Sequence, residues 1–256
     1  MSEEASEPAV LVERRGRVMI ITLNRPQAMN AINGELSNGL WNAVQELNND
    51  AGLTAGVITG NGRGFCSGMD LKAFARGEDI GPLTEFVQAG CEKPLIAAIE
   101  GFALAGGCEI ALTCDLLVAS KGAKIGIREV KVGLFAGAGG VFRLPMRVGY
   151  TKAMEMAITG EPITAEQALE CGMLSELTEP GGALDAAVSW AERIAENAPL
   201  AVAASKVLVR AAAQGYDEAE LWEMQKPLSR KVFTSNDAKE GPVAFAEKRA
   251  PNWTGT

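Results

Sequence analysis

Hydrophobic positions in the first two-thirds of the chain gather in short solid runs. Between them lie glycine-rich turns or apolar residues at helical spacing. Residues 10–13 and 18–23 read as two strands joined through Arg14-Arg15-Gly16-Arg17 in a hairpin. Asn24-Arg25-Pro26-Gln27 then turns the chain into a helix over about residues 33–48, whose Leu36, Leu40, Val44 and Leu47 keep the 3.6-residue period. Apolar runs at 57–59, 95–99 and 116–119 predict further strands, and Ile125-Gly126-Ile127 introduces Glu129. From 65 to about 90 the composition suits a mobile binding loop, above all at Arg76-Gly77-Glu78-Asp79-Ile80-Gly81-Pro82. Substrate-facing lids and ordinary surface loops share that composition. After a helix over 183–196 a boundary falls at Ala198-Pro199, and residues 200–213, 218–231 and 237–249 read as three more helices. On spacing alone, Leu221, Met224 and Leu228 form a stripe expected in the intramolecular core.

Two stretches depart from this plain alternation. In residues 101–115, Gly106 and Gly107 open an apolar helix, so unpaired backbone N–H groups can come close to a partly negative ligand. One turn inside sits Glu109, a residue type rarely buried unless paired. A tight turn and a surface glutamate would account for the same letters. In residues 56–72 an apolar run enters the turn Gly62-Arg63-Gly64-Phe65-Cys66-Ser67-Gly68-Met69-Asp70 and leaves as a helix. Its glycines lack the Gly-x-Gly-x-x-Gly spacing of a dinucleotide loop.

Composition narrows the chemistry. Among 256 residues there is no histidine, which removes Ser-His-Asp and Cys-His catalysis and histidine metal sites, and leaves acid–base work to carboxylates. Lys and Arg number 24 against 32 Asp and Glu, a net charge of −8 that argues against nucleic-acid or basic membrane-surface binding. Cysteines 66, 91, 108, 114 and 171 are odd in number and form no Cys-x-x-Cys pair, which suits a reducing cytoplasm rather than a disulfide framework or a metal site. Residues 1–9 read as an acidic tail, not a secretory signal, and no run approaches the ~18 apolar residues of a membrane span.

The turn at Phe65 to Leu71, followed by Gly101-Phe102-Ala103-Leu104-Ala105-Gly106-Gly107-Cys108-Glu109, resembles the crotonase, or enoyl-CoA hydratase/isomerase, family. Leu23-Asn24-Arg25-Pro26, Lys93-Pro94-Leu95, Gly137-Ala138-Gly139-Gly140, Arg143-Leu144-Pro145 and the segment 244–249 extend the likeness along nearly the whole chain. The resemblance implies an α/β fold. Its core, over 10–197, would be a ββα spiral, with a helical oligomerisation region over 198–256 that builds a homotrimer or a dimer of trimers. It implies an acyl-CoA thioester substrate, with coenzyme A part of the substrate and no separate cofactor.

By motif position, the backbone N–H groups of Met69 and Gly106 would form an oxyanion hole, with Glu109 and Glu129 the catalytic carboxyls. Arg128 and Lys131 beside Glu129 would equally suit a surface ion pair there. Contacts to CoA or acyl chain would fall on Arg25, Gln27, Ala28, Phe65, Ser67, Gly68, Asp70, Leu71, Lys72, Ala105, Leu134, Gly137 and Lys248. Three positions depart from the family pattern: Arg128 and Ala136 stand where proline is usual, and Ala105 where glycine is. The first two change the wall of the acyl pocket. Retention of both glutamates points to an enoyl-CoA hydratase. A carnitinyl-CoA-like or bulky acyl-CoA dehydratase is the alternative, and a non-catalytic CoA-ester-binding protein a further one.

Overall fold

The computed structural model describes residues 7–256, so most of the expected acidic tail lies outside the described residues. Ala9, at its end, is already 3% exposed and accepts a hydrogen bond from Asn24 N at 2.7 Å. Strands β1 (Val10–Arg15) and β2 (Val18–Leu23) form the expected hairpin, and Asn33 caps helix α1 (Gly34–Asn49) by accepting from Leu36 N at 3.0 Å. Then come β3 (Ala55–Gly60), α2 (Leu71–Ala75), α3 (Gly81–Ala89), β4 (Leu95–Ile99), β5 (Phe102–Leu104) and α4 (Gly106–Thr113). β6 (Leu116–Ser120), β7 (Lys124–Gly126), α5 (Gly140–Val148), α6 (Tyr150–Thr159), β8 (Ile163–Thr164), α7 (Ala165–Glu170), β9 (Glu176–Thr178) and α8 (Ala183–Ala195) complete the core.

The main sheet runs β1-β2-β3-β4-β6-β9, parallel throughout except for the β1 hairpin edge. Alternate residues of a strand point to opposite faces. On one face Val18, Ile20, Val57, Ile96, Ala98 and Val118 meet Ala183, Ala187, Val188 and Ala191 of α8. On the other, Met19, Ile21, Ile58, Ala97 and Leu117 join the larger core with Leu36, Leu40, Val44 and Leu47 of α1. Burial on both sides explains why these strands read as solid apolar runs.

A second, narrower ladder winds beside the first. Parallel bridges link Ile32 to Met69 and Cys66 to Ala103, β5 pairs parallel with β7, and β7 pairs antiparallel with β8. Each turn of the spiral thus contributes one strand to the main sheet and a shorter piece to this ladder.

Helices occupy much of the segment 65–90, whose composition suited a mobile binding loop, and the helix expected after the glycine-rich turn is α2. Asp70 Oδ1 caps α2 through Lys72 N and Ala73 N, at 3.1 and 3.2 Å. Helix α3 buries Leu83, Phe86 and Val87, and Ser37 Oγ accepts from Leu83 N at 2.8 Å. The segment's charged residues stay on the short link and outer faces, which gave it a loop's composition.

Helices α9 (Pro199–Ala213), α10 (Glu218–Phe233) and α11 (Asn236–Glu247) follow. No residue of α10 is buried, so the expectation that Leu221, Met224 and Leu228 form intramolecular core is corrected: all three are half-exposed. The final residues fold back. Trp253 Nε1 donates to Glu196 O at 2.7 Å, and buried Asp237 accepts from Thr254 N and Gly255 N. Among the described residues no helix is long and apolar enough to cross a membrane.

Candidate active site

The narrow ladder presses the 66–69 turn against the start of α4. Cys66 O accepts from Leu104 N at 2.9 Å, and Gly68 O from Ile32 N at 2.8 Å. A Cβ at position 107 would stand 2.4 Å from Cys66 O, and one at position 68 would stand 2.7 Å from Ala105 Cβ. Glycine is therefore a packing requirement at both positions, and Gly68 adds a φ of +104°. Ala105 itself holds φ 51° and ψ −127°, a strained setting for a residue with a Cβ.

This closeness leaves two donors side by side. Asp70 N and Ala105 N are taken by Ile32 O and Gly126 O, whereas Met69 N and Gly106 N, beside them, have no backbone acceptor among the described residues. A Cβ on Gly106 would lie 3.8 Å from Met69 N, so the two N–H groups border the same small space. Gly106 also begins α4, where the first-turn donors lack intrahelical partners. Such a pair suits an oxygen on which negative charge develops.

One turn along, Glu109 is 4% exposed, and its Oε1 accepts from Gly140 N at 2.9 Å, at the start of α5. Burial pushes its carboxyl up to about 7, opposed by the Gly140 N–H and reinforced by the nearby Glu129. Glu129 opens the 3-10 turn Glu129–Val132, and burial raises its carboxyl above the ordinary value too. Its Oε2 is buried without a hydrogen-bond partner. Lys131 pairs with Glu161 instead, so Glu129 is not the surface ion-pair residue its neighbours allowed. Both carboxyls and both free N–H groups open into one cavity of about 860 Å³.

The sequence matches the enoyl-CoA hydratase/isomerase family over residues 13–256. The chain belongs to that family. It is 40% identical to an enoyl-CoA hydratase, EchA19, of Mycobacterium tuberculosis, over 99% of each chain. It is 39% identical to a carnitinyl-CoA dehydratase of Proteus mirabilis, over 94% of this chain and 96% of that one. A crystal structure of an enoyl-CoA hydratase from Mycobacterium tuberculosis H37Rv matches with a TM-score of 0.93 and 52% identity, covering 98% of this chain and all of that one.

Seen as an enoyl-CoA hydratase/isomerase family member, the chain brings some expected residues together and not others. Ser67, Met69, Leu71, Ala105, Gly106, Glu109, Glu129, Leu134 and Gly137 line the cavity. Phe65 does not: its side chain is fully buried in the core, which corrects its expected contact with substrate. Gly68 acts through backbone shape. Arg25 donates to Ala31 O and pairs with Asp70 Oδ2 at 3.2 Å, so its guanidinium braces the turn rather than standing free for a phosphate. Asp70 is likewise spent on the α2 cap and this pair. Gln27 and Ala28 lie on the 3-10 turn Pro26–Ala28, whose neighbour Met29 O accepts from Ser67 N at 3.1 Å. Lys72 and Lys248 are exposed, and neither lines the cavity within its own chain.

Sequence reasoning missed much of the far wall. Leu83, Val87 and Gln88 come from α3, Phe142 and Arg143 from α5, and Arg210 and Gln214 from α9 and its C-terminal cap. Arg143 belongs to the Arg143-Leu144-Pro145 match, which gave no hint of a side chain directed inward. Among the described residues no cluster of three or more His, Cys, Asp or Glu is arranged to hold a metal ion.

Proposed function

We propose that the protein adds water, syn, across the double bond of a 2-trans-enoyl-CoA to give a 3-hydroxyacyl-CoA, and catalyses the reverse dehydration, within fatty-acid or related acyl-CoA degradation. The observation that carries this reading is that two carboxyls with raised proton affinities share one cavity with two unclaimed backbone N–H groups. As water oxygen bonds to C3, the C2–C3 electron pair moves toward the thioester carbonyl, whose oxygen the Met69 and Gly106 N–H groups hold. Removing one such donor typically costs ~10²–10³ in rate. Glu109, oriented by Gly140, accepts the water proton. Glu129, whose Oε2 has no competing partner, supplies a proton to C2. The reaction is redox-neutral and needs no cofactor beyond the CoA carried by the substrate.

Loss of enoyl-thioester absorbance over a panel from crotonyl to long-chain, branched and bulky enoyl-CoAs tests this. Turnover that falls by ~10²-fold or more in Glu109→Gln and in Glu129→Gln is the expected result. CoA-ester binding without turnover anywhere in the panel would overturn it in favour of a binding protein. Arg128 on the cavity wall and the size of the cavity favour, as a second reading, dehydration of a bulky or polar acyl-CoA.

The half-exposed apolar stripe of α10, with Phe233 and Phe245 at 78% and 87% exposure, supports a homotrimer or a dimer of trimers. Deleting residues 237–256 should lower the mass seen by sedimentation and weaken CoA-ester binding together. The five free cysteines suit a cytoplasmic setting.

A further inference from the structure

The cavity contains more positive charge at its far end than the hydration chemistry uses. Thr113 lies two turns along α4 from Gly106, which places it ~10 Å from the free N–H pair. There Arg143 enters from α5 and donates to Thr113 Oγ1 at 3.2 Å, to Ala138 O at 3.1 Å and to Val87 O, which holds its guanidinium against the protein. Arg210 arrives from α9 beside it. A Cβ on Gly90, at the end of α3, would stand 2.8 Å from Arg210 Nη1. Burial first, and then the neighbouring Arg210 charge, weaken the hold of Arg143 on its proton, and burial does the same at Arg147.

Two carboxylates act on this group, and both are engaged: Glu109, which faces Arg143, accepts from Gly140 N. Asp115 takes Lys206 at 2.7 Å and Leu95 N at 2.8 Å, while Arg147 is bonded to Cys114 O and Asp115 O. Among the described residues Arg210 alone in this group lacks both an ion pair and a hydrogen bond, although it is only half exposed and lines the cavity. Gln88 and Gln214, both cavity-lining amides, stand at the same end. Gln214 is one turn from Arg210 on the same helix face.

We propose that the site takes an enoyl-CoA whose acyl chain ends in a carboxylate, received by Arg210 with Gln88 and Gln214 as flanking amide donors. The proposal rests on the hydratase reading and deepens it by naming the substrate class. A guanidinium matches a carboxylate with two parallel N–H···O bonds, and a half-buried setting makes that bond stronger than one in open water. A methyl-ended chain would instead leave Arg210 desolvated and unpaired, at a cost. Because Arg210 and the free N–H pair lie at separate ends of α4, one acyl chain can meet both: thioester at the hole, carboxylate at the far wall.

Pairs of 2-enoyl-CoAs of equal length, ending in methyl or in carboxylate, test this through kcat/KM across several lengths. At the best length the carboxylate member should be preferred by ~10-fold or more, and the preference should shrink as salt is raised. Arg210→Met should bring the ratio toward one, and Arg210→Lys should keep part of it. A methyl preference at every length, a ratio untouched by Arg210→Met, or an equal loss for both members overturns the proposal and leaves the hydratase reading standing. An equal loss would assign Arg210 to CoA or to packing. Calorimetry with the saturated carboxyl-ended acyl-CoA decides the contact without turnover. Tenfold weaker binding to Arg210→Met than to the wild type supports it even if no panel member is hydrated, and equal binding overturns it.

Discussion

Replacing Glu109 with glutamine separates the cost of its burial from its chemical use. The carboxyl, 4% exposed, is held at about 7 in the folded protein against an ordinary value of 4.5. At ~1.36 kcal/mol for each tenfold change in proton affinity, that displacement costs the folded protein about 3 kcal/mol once the group is ionised. The sign follows from the raised value. Below pH 4.5 the carboxyl is protonated in both folded and unfolded chains and the cost is absent. As pH rises toward 7 the unfolded chain ionises first and stability is lost, and above 7 the loss is complete. A glutamine side chain keeps an oxygen to accept from Gly140 N, the 2.9 Å contact of Glu109 Oε1, so little packing should change.

The Glu109→Gln protein should therefore match the wild type near pH 4.5 and exceed it by about 3 kcal/mol at pH 8, or ~6–12 °C in Tm for a chain of this size. Thermal unfolding at fixed protein concentration across that pH range measures the gap. Hydration at pH 8 should meanwhile fall by ~10²–10⁴, as for loss of a general base, and the acid limb of wild-type kcat/KM should bend near pH 7. A stability gap that is the same at both pH values would refute the buried, raised carboxyl. Near-normal hydration by the folded variant would refute its role as base.

Other substitutions probe the hole and its supports. Met69→Leu should keep most of the rate because the N–H is retained, whereas Gly106→Pro removes a donor and should cost at least ~10²-fold. Steady-state kinetics on the folded variants compares them, and equal damage would remove the assignment of donors. Ala105→Gly should relieve the positive φ and raise Tm by a few degrees, while Gly68→Ala, with its Cβ 2.7 Å from Ala105 Cβ, should lower both Tm and rate. Asp70→Ala removes the α2 cap and the partner of Arg25, and should lose ~0.5–2 kcal/mol in urea unfolding with the larger effect on KM.

The sequence by itself determined the strands, because a strand covered on both faces must be apolar along its whole length, as at 95–99 and 116–119. It also determined the glycine-marked turn and the helix start at Gly106, because those backbone shapes tolerate few residues. Family motifs placed Glu109, Glu129, Met69 and Gly106 at one site, and the fold brings all four to one cavity.

Tertiary structure decided what burial and pairing depend on. Phe65 and Ser67 are two residues apart in one turn, yet one packs in the core and the other faces the cavity. Lys131 is two residues from Glu129 in sequence and pairs with Glu161 across the fold. Arg143 and Arg210 reach the cavity from helices far apart in the chain, and nothing in their local sequence marks them. Proton affinity and the availability of a charged group are set by which distant neighbours exclude water or satisfy it, and those neighbours are chosen only when the chain packs.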